Sequence, residues 1–192
     1  MKNKRSQGGW DSKRTFIVLD VPSPMAETVL ALRRQFGSWR LALPVEITLA
    51  GSSGLGVLRY HESELEAIFE TLDEVAHRFA PMATRFGSVA LFPGTRVFYF
   101  VPEDASPFVA LQTALIESGL RFERSPFAFT PHCTIADLET VALELPTNFQ
   151  ELALPDCEIV LDTLSVYNLD ARVLGGNPEG CRLLHRTKLV TS

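Results

Sequence analysis

Cysteine is scarce in this chain of 192 residues, positive charge is not in excess, and no apolar run is long enough to cross a bilayer. The three cysteines form no Cys-x-x-Cys pair, and their odd number argues against a disulfide scaffold or a structural zinc site. A net charge of −5 disfavours extended binding along a phosphate backbone. These features predict a soluble globular protein with free thiols, without a membrane span.

The first 14 residues form a short segment that is polar and basic at its start and has no apolar stretch typical of a secretory signal. We therefore expect a flexible tail over residues 1–14 and a cytoplasmic protein. The remaining length suits one domain or two small lobes that share a core. The sequence predicts one bilobal domain over 15–192, with halves at roughly 15–94 and 95–192.

Apolar periodicity predicts alternating strands and helices in the first half of the chain. A continuous β-prone run covers 15–21, and a second strand is predicted over 45–50. Between them a helix is predicted from Met25 to a stop at Gly37, with Arg33 and Arg34 away from its apolar face. The apolar positions of this helix are Met25, Val29, Leu32 and Phe36.

Another helix is predicted after Ser63, which forms a capping-box pattern with Glu66. Its apolar positions are Leu65, Ile68, Phe69, Leu72, Val75, Ala76 and Phe79. A third helix is indicated by Phe108, Leu111, Leu115 and Ile116. Further strands are predicted over 84–92, 95–101, 127–136, 158–167 and 181–190. This order of elements predicts an α+β fold.

The pattern His132-Cys133-Thr134 lies in one of these predicted strands. Because side chains on a strand alternate between faces, His132 and Thr134 should share a face and Cys133 should point away from it. A histidine moves protons near neutral pH, and a hydroxyl can hold an oxyanion, which suits phosphoester chemistry. The same spacing recurs at His61 and at His185, so spacing alone does not identify a site.

The two halves of the chain repeat the order strand, helix, strand. The first half has Glu46-Ile47-Thr48 where the second has His132-Cys133-Thr134, and both follow a proline within two residues. This order indicates an internal duplication, in which two lobes face each other across a cleft where ligand sites tend to form.

Five segments carry a resemblance to a known family. They are Phe16-Ile-Val-Leu-Asp-Val-Pro, Pro44-Val-Glu-Ile-Thr-Leu-Ala-Gly, Phe92-Pro-Gly-Thr-Arg-Val-Phe-Tyr-Phe, Thr130-Pro-His-Cys-Thr-Ile-Ala and Leu164-Ser-Val-Tyr. In this order they resemble the two-histidine phosphoesterases, which include bacterial 2'-5' RNA ligase-like proteins and 2',3'-cyclic phosphodiesterases. The resemblance implies a bilobal α+β fold with antiparallel-rich sheets and a basic cleft that needs no metal or other cofactor.

The resemblance also implies roles for particular residues. His132 would be the second catalytic histidine, acting as general acid or base, and Thr48 and Thr134 would hold the phosphate oxygens. The first motif of the family has histidine where this chain has Glu46. A carboxylate about 4 Å from a phosphate oxygen is repelled by roughly 4 kcal/mol at an effective dielectric constant near 20. Alternatively, a glutamate can remain protonated and donate a hydrogen bond, or act as general base on water.

Five more residues are candidates for substrate binding because the clefts of this family are basic and bind nucleotides. Arginine matches phosphate oxygens, and an aromatic ring can stack on a nucleobase. The arginines are Arg40, Arg96 and Arg124, and the aromatic residues are Tyr99 and Phe129. Surface solvation for the arginines and core packing for the aromatic residues are the alternatives.

Two functions follow as expectations. The first is hydrolysis of a 2',3'-cyclic phosphate on a nucleotide or RNA end, by a monomer without metal. The second is binding of a nucleotide or RNA end without turnover. A third possibility is a globular protein whose cleft has no surviving ligand. A late strand carrying His185 and Thr187 could also supply the histidine that is missing at position 46.

Overall fold

The fold is a layer of helices on a mostly antiparallel sheet, as described by a computed structural model for residues 15–51, 54–137, 157–170, 172 and 176–190. Within these residues the strands are β1 (Thr15–Asp20), β2 (Glu46–Ala50), β3 (Met82–Thr84), β4 (Phe86–Leu91), β5 (Val97–Pro102), β6 (Cys133–Asp137), β7 (Ile159–Leu161), β8 (Thr163–Leu169) and β9 (Cys181–Lys188). The α-helices are α1 (Met25–Gln35), α2 (Leu65–Ala76) and α3 (Ser106–Glu117). The predicted α+β class is confirmed.

Seven strands form the main sheet in the order β4-β5-β6-β2-β1-β8-β9, and β3 pairs with β7 in a small second sheet. The pairing is symmetric about the β2–β6 boundary, where the registered pair is Ile47 and Cys133. On either side, β1 pairs antiparallel with β2 and β5 pairs antiparallel with β6. The Glu46-Ile47-Thr48 and His132-Cys133-Thr134 patterns thus meet at their middle residues. The internal duplication stays a prediction.

The two sides of the sheet do not follow the two halves of the chain. Strands β8 and β9 come late in the sequence but pair onto β1, and β4 pairs onto β5. The division near residue 94 stays a prediction. The predicted tail, 1–14, lies outside the described residues.

The hydrophobic core lies between the sheet and the helices. Alternate strand residues are fully buried there: Ile17, Leu19, Ile47, Leu49, Cys133 and Ile135. Helix α1 contacts β6, α2 contacts β9, and α3 contacts β2. Because side chains alternate along a strand, the intervening residues point to the opposite face of the sheet. None of the helices within the described ranges is long and apolar enough to cross a membrane.

Helix α1 follows the predicted boundaries but buries a residue that the sequence did not predict. Met25 and Val29 are buried as expected, whereas the prediction for Arg33 is wrong, because this side chain is completely buried. Its guanidinium reaches four backbone carbonyl groups, so its charge is hydrogen-bonded inside the protein. Periodicity misses this placement because it ranks arginine as a surface residue.

Helices α2 and α3 also depart from the pattern in detail. A 3-10 turn at Glu62–Glu64 precedes α2, so Ser63 is not the N-cap. Instead, the Glu64 carboxylate accepts a hydrogen bond from the His61 backbone N–H at 2.6 Å. This bond takes the place of the capping box predicted for Ser63 and Glu66. In α3, the predicted core residue Ile116 is 55% exposed.

Strand β6 is shorter than the predicted strand over 127–136. Pairing begins at Cys133, and Phe127 is exposed. His132 therefore lies immediately before the strand. The predicted strand 84–92 is split into β3 and β4, and the predicted strand 158–167 falls in β7 and β8. The last predicted strand, 181–190, corresponds to β9.

Candidate functional site

The β2–β6 junction brings together the four residues that the sequence motifs single out. Ile47 and Cys133 are paired and point into the core. Extending this antiparallel register by one residue sets Glu46 opposite Thr134 and Thr48 opposite His132. All four side chains therefore lie on the face of the sheet away from the core. Each is 3–8% exposed, which places them in a largely desolvated setting.

His132 is held in a defined tautomer and orientation. Its Nδ1 lies 2.6 Å from the Thr130 carbonyl oxygen. A carbonyl only accepts hydrogen bonds, so Nδ1 carries the proton and Nε2 of the neutral ring is left as a base. The rings of Phe92 and Tyr99 contact the imidazole edge-on, with centroids at 4.8 and 5.1 Å.

Burial lowers the pKa of His132 below its usual value, which favours the neutral imidazole. The hydrogen bond to Thr130 and the charge of Glu46 act in the opposite direction, whereas the charge of Arg40 adds to the lowering. Neutral His132 is suited to accept a proton. It is less suited to donate one at neutral pH.

Glu46 and Thr48 interact with each other on β2. The Thr48 hydroxyl donates to the Glu46 carboxylate at 2.8 Å. A hydroxyl has a single proton to donate, so this bond uses the donor that a phosphate oxygen would otherwise receive. A phosphate could engage Thr48 as a donor only if this bond were exchanged.

Arg40 is the predicted binding residue whose charge acts on His132. It lies in a 3-10 turn at Trp39–Ala42, in the segment that leads to β2, and its guanidinium packs over the Trp39 ring at 5.1 Å. Its Nε is buried, with no hydrogen-bond partner among the described residues. A half-buried arginine with an unsatisfied hydrogen-bond donor is suited to bind an anion.

Arg33 supports this arrangement from the core side, and the sequence reasoning missed it. Its guanidinium donates to the carbonyl oxygens of Arg40, Leu43 and Pro44 at 2.9–3.0 Å, and to that of Thr134 at 2.9 Å. It therefore links the segment that enters β2 to strand β6. The available signal was the spacing of Arg33, which follows the buried residues Met25 and Val29 at intervals of four residues.

The other histidines and the adjacent cysteine do not join the site. His185 lies on the helix side of the sheet, where Nε2 contacts Asp73 Oδ1 at 2.7 Å and the ring stacks on Phe69. It therefore does not replace a histidine at position 46. His61 is exposed. Cys133 faces the core, and burial raises its pKa to about 12, so it is not a thiolate nucleophile.

The remaining predicted binding residues have more varied positions. Tyr99 is buried, with one face stacked on Phe92 at 4.1 Å, so its observed contacts orient His132. Arg96 is half-buried directly before β5, and Phe129 packs against the core. Arg124 is exposed. Phosphate binding by the two arginines and base stacking by the two aromatic residues stay predictions.

Solved structures with this fold cover nearly the whole chain. TT0787 of Thermus thermophilus matches with a TM-score of 0.63 and 22% identity, covering 93% of this chain and 99% of its own. E. coli LigT complexed with 3'-AMP matches with a TM-score of 0.57 and 19% identity, covering 92% and 97%. LigT complexed with NADP+ gives 0.59 and 17%, covering 96% and 100%. At these identities the likeness establishes the fold.

No curated protein gives a significant sequence match to this chain. A family model does match, and it extends over residues 21–172, which include both strands of the site and most of the sheet. This match covers well over half of the chain and agrees with the fold of the solved structures. The chain belongs to the 2'-5' RNA ligase superfamily.

Proposed function

We propose that this protein is a metal-independent phosphodiesterase that opens 2',3'-cyclic phosphates on nucleotide or RNA ends. The observation that carries the proposal is the pairing of Glu46-Ile47-Thr48 with His132-Cys133-Thr134 on one sheet face. Each strand then contributes a candidate proton-transfer group and a hydroxyl to this face. Structures of LigT with 3'-AMP, NADP+ and ATP support a nucleotide as the ligand.

In the proposed reaction, His132 acts as general base. Its Nε2 takes a proton from water, the water oxygen forms a bond to phosphorus, and the bond from phosphorus to one ribose oxygen breaks. Thr134 and Arg40 hold the non-bridging oxygens. The leaving ribose oxygen needs a proton, and Glu46 supplies it when its carboxyl group is protonated. One chain carries every group in this scheme, so a monomer is sufficient, and the compartment that we propose is the cytoplasm.

Glu46 sets the limit on this activity. An ionised carboxylate about 4 Å from phosphate opposes binding by roughly 4 kcal/mol at an effective dielectric constant near 20. It also cannot donate a proton to the leaving group. We therefore expect slow turnover near neutral pH, and faster turnover if histidine occupies this position.

A second candidate function is binding of a nucleotide or RNA end without turnover. The hydrogen bond from Thr48 to Glu46 favours this alternative, because it joins the two polar β2 side chains of the site to each other. Under this alternative, His132, Thr134 and Arg40 bind the phosphate while β2 contributes no chemistry.

The test combines two substitutions at position 46 with product identification. Purified wild type, Glu46→His and Glu46→Gln are incubated with 2',3'-cyclic AMP and with a cyclic-phosphate-ended oligonucleotide, with chelator present. Products are separated by chromatography. The phosphodiesterase proposal requires turnover by wild type, and a rate increase of about 10²-fold or more in Glu46→His.

The variants also separate the two candidate functions. Turnover by Glu46→His alone would identify the natural protein as a binder on a catalytic fold. If wild type and Glu46→His are both inert, the phosphodiesterase proposal fails. Glu46→Gln removes the carboxylate charge at nearly constant shape, so phosphate should bind it at least tenfold more tightly than wild type if repulsion is the limit.

A further inference from the structure

A second polar cluster lies on the same sheet face, beside the candidate site. It consists of Asp20 on β1, Ser165 and Tyr167 on β8, and Arg186 on β9. Asp20 is the register partner of Glu46, and Ser165 is the register partner of Arg186. Val18 is paired with both Thr48 and Ser165. Because paired residues share a face, the cluster continues the face that carries Glu46 and Thr48.

The cluster holds the Arg186 guanidinium in a fixed position. Nε donates to Ser165 Oγ at 3.1 Å and Nη2 donates to Tyr167 Oη at 3.0 Å. Nη2 also lies 3.0 Å from Asp20 Oδ2. Ser165 and Tyr167 both donate to the Asp20 carboxylate, at 2.7 and 3.3 Å.

The cation is pre-organised and still accessible. Ser165 is completely buried and Tyr167 nearly so, whereas the Arg186 side chain is 49% exposed. The contacts use three of the five N–H donors of a guanidinium. The two on Nη1 have no acceptor among the described residues. Asp20 fixes the guanidinium, and the two N–H groups on Nη1 remain available to another anion.

We propose that Arg186 binds the phosphodiester next to the reacting phosphate, so that the preferred ligand is an oligonucleotide end and not a mononucleotide. This inference rests on the proposed function of the β2–β6 site. Neighbouring strands lie about 4.8 Å apart, and Asp20 is opposite Glu46 on the adjacent strand. The guanidinium at Asp20 therefore lies about one to two strand spacings from the candidate site, a distance comparable to one nucleotide step.

The charges around the site agree with a polyanionic ligand that is held at separate points. The turn that carries Arg40 contacts β6, and Arg186 lies on β9. In the strand order, Glu46 on β2 and Asp20 on β1 come between them. Asp20 is already paired, which leaves Glu46 as the carboxylate facing the reacting phosphate. A second phosphate bound at Arg186 would offset part of the binding free energy that is lost by repulsion between Glu46 and the reacting phosphate.

The test compares one phosphate with two. Calorimetry measures the dissociation constants of 2'-deoxyadenosine 3'-phosphate and of the corresponding dinucleotide 3'-phosphate, neither of which can form a 2',3'-cyclic phosphate. Wild type should bind the dinucleotide about tenfold more tightly. Arg186→Met should lose this advantage and keep its affinity for the mononucleotide. Arg186→Lys should retain part of it, since it keeps the charge without the fork.

Arg182→Met is the matched control, because Arg182 is exposed on the same strand but pairs with Asn168, on the opposite face from Ser165. It should leave both affinities within twofold. The slope of the logarithm of the dinucleotide binding constant against the logarithm of salt concentration should also decrease in magnitude by about one in Arg186→Met, because one phosphate contact is lost. Thermal melting of each variant establishes that it is folded.

Three outcomes would overturn the inference. They are equal wild-type affinity for the two ligands, an equal loss for both ligands in Arg186→Met, and the same loss in Arg182→Met. If the β2–β6 site does not bind phosphate, the pattern is different, because wild type then binds neither ligand. If the site binds phosphate without turnover, wild type binds the mononucleotide but forms no product from 2',3'-cyclic AMP. A normal affinity for the mononucleotide with no gain from the dinucleotide removes the Arg186 subsite alone.

Discussion

Arg33 gives the sharpest stability prediction, because one buried guanidinium connects the segment before β2 to β6. The registered pair between these strands is Ile47 and Cys133. Arg33→Met keeps an unbranched side chain of similar length in the helix and removes the donors. We expect a lower free energy of unfolding and a weaker connection between the two strands of the site.

The size of the effect follows from the four carbonyl acceptors. Those of Leu43 and Thr134 are in buried bonds, and those of Arg40 and Pro44 are in partly buried ones that water can replace. Two buried carbonyls without a donor cost about 1–3 kcal/mol each. Relief of the desolvation of the guanidinium offsets part of this. We expect a net loss of about 3 kcal/mol, or roughly 6–12 °C in melting temperature for a chain of this size.

The assay is urea unfolding followed by circular dichroism, with Arg34→Met as the matched control. Arg34 is the next residue of α1 and is exposed, so its substitution should change stability by about 0.5 kcal/mol or less. If Arg33→Met and Arg34→Met lose the same free energy of unfolding, the hydrogen bonds of the buried guanidinium do not stabilise the fold.

Two further predictions concern pH and backbone conformation. Because burial lowers the pKa of His132 below 6.5, the unfolded chain takes up a proton below about pH 6.5 that the folded chain resists. The wild-type free energy of unfolding should therefore decrease relative to that of His132→Gln as the pH is lowered from about 7.5 to 5. A difference in unfolding free energy between the two proteins that stays constant over this range would contradict the prediction. Gly56 has a φ of +89° and no room for a Cβ beside the Glu123 carbonyl, whereas Gly37 has a φ of +60° in open space. In thermal melts Gly37→Ala should cost about 1 kcal/mol and Gly56→Ala at least twice that, and equal losses would count against the close contact.

Much of the fold was predictable because local patterns and tertiary packing agree. The run over 15–21, the helix from Met25 and the strand over 45–50 correspond to β1, α1 and β2. Strand alternation also predicted correctly that His132 and Thr134 point away from Cys133. These features depend on which residues are apolar and how they are spaced, and both can be read from the sequence.

The rest depends on contacts between distant residues. The Ile47–Cys133 register determines which groups share the site, and sequence periodicity carries no information about it. The burial of Arg33 depends on four carbonyl groups from two other segments. Likewise, the position of His185 is fixed by Asp73 and Phe69 on α2. Each case requires a partner more than five residues away in the sequence.

The most direct test of His132 as the general base is the turnover of 2',3'-cyclic AMP by wild type and His132→Ala at pH 7, with chelator present. His132→Ala removes the only nitrogen base of the proposed mechanism and leaves Thr134, Arg40 and the β2 groups in place. The expected result is measurable turnover by wild type and a fall of about 10²-fold or more in kcat for the variant, which remains folded. Equal turnover by the two proteins would show that His132 is not the base.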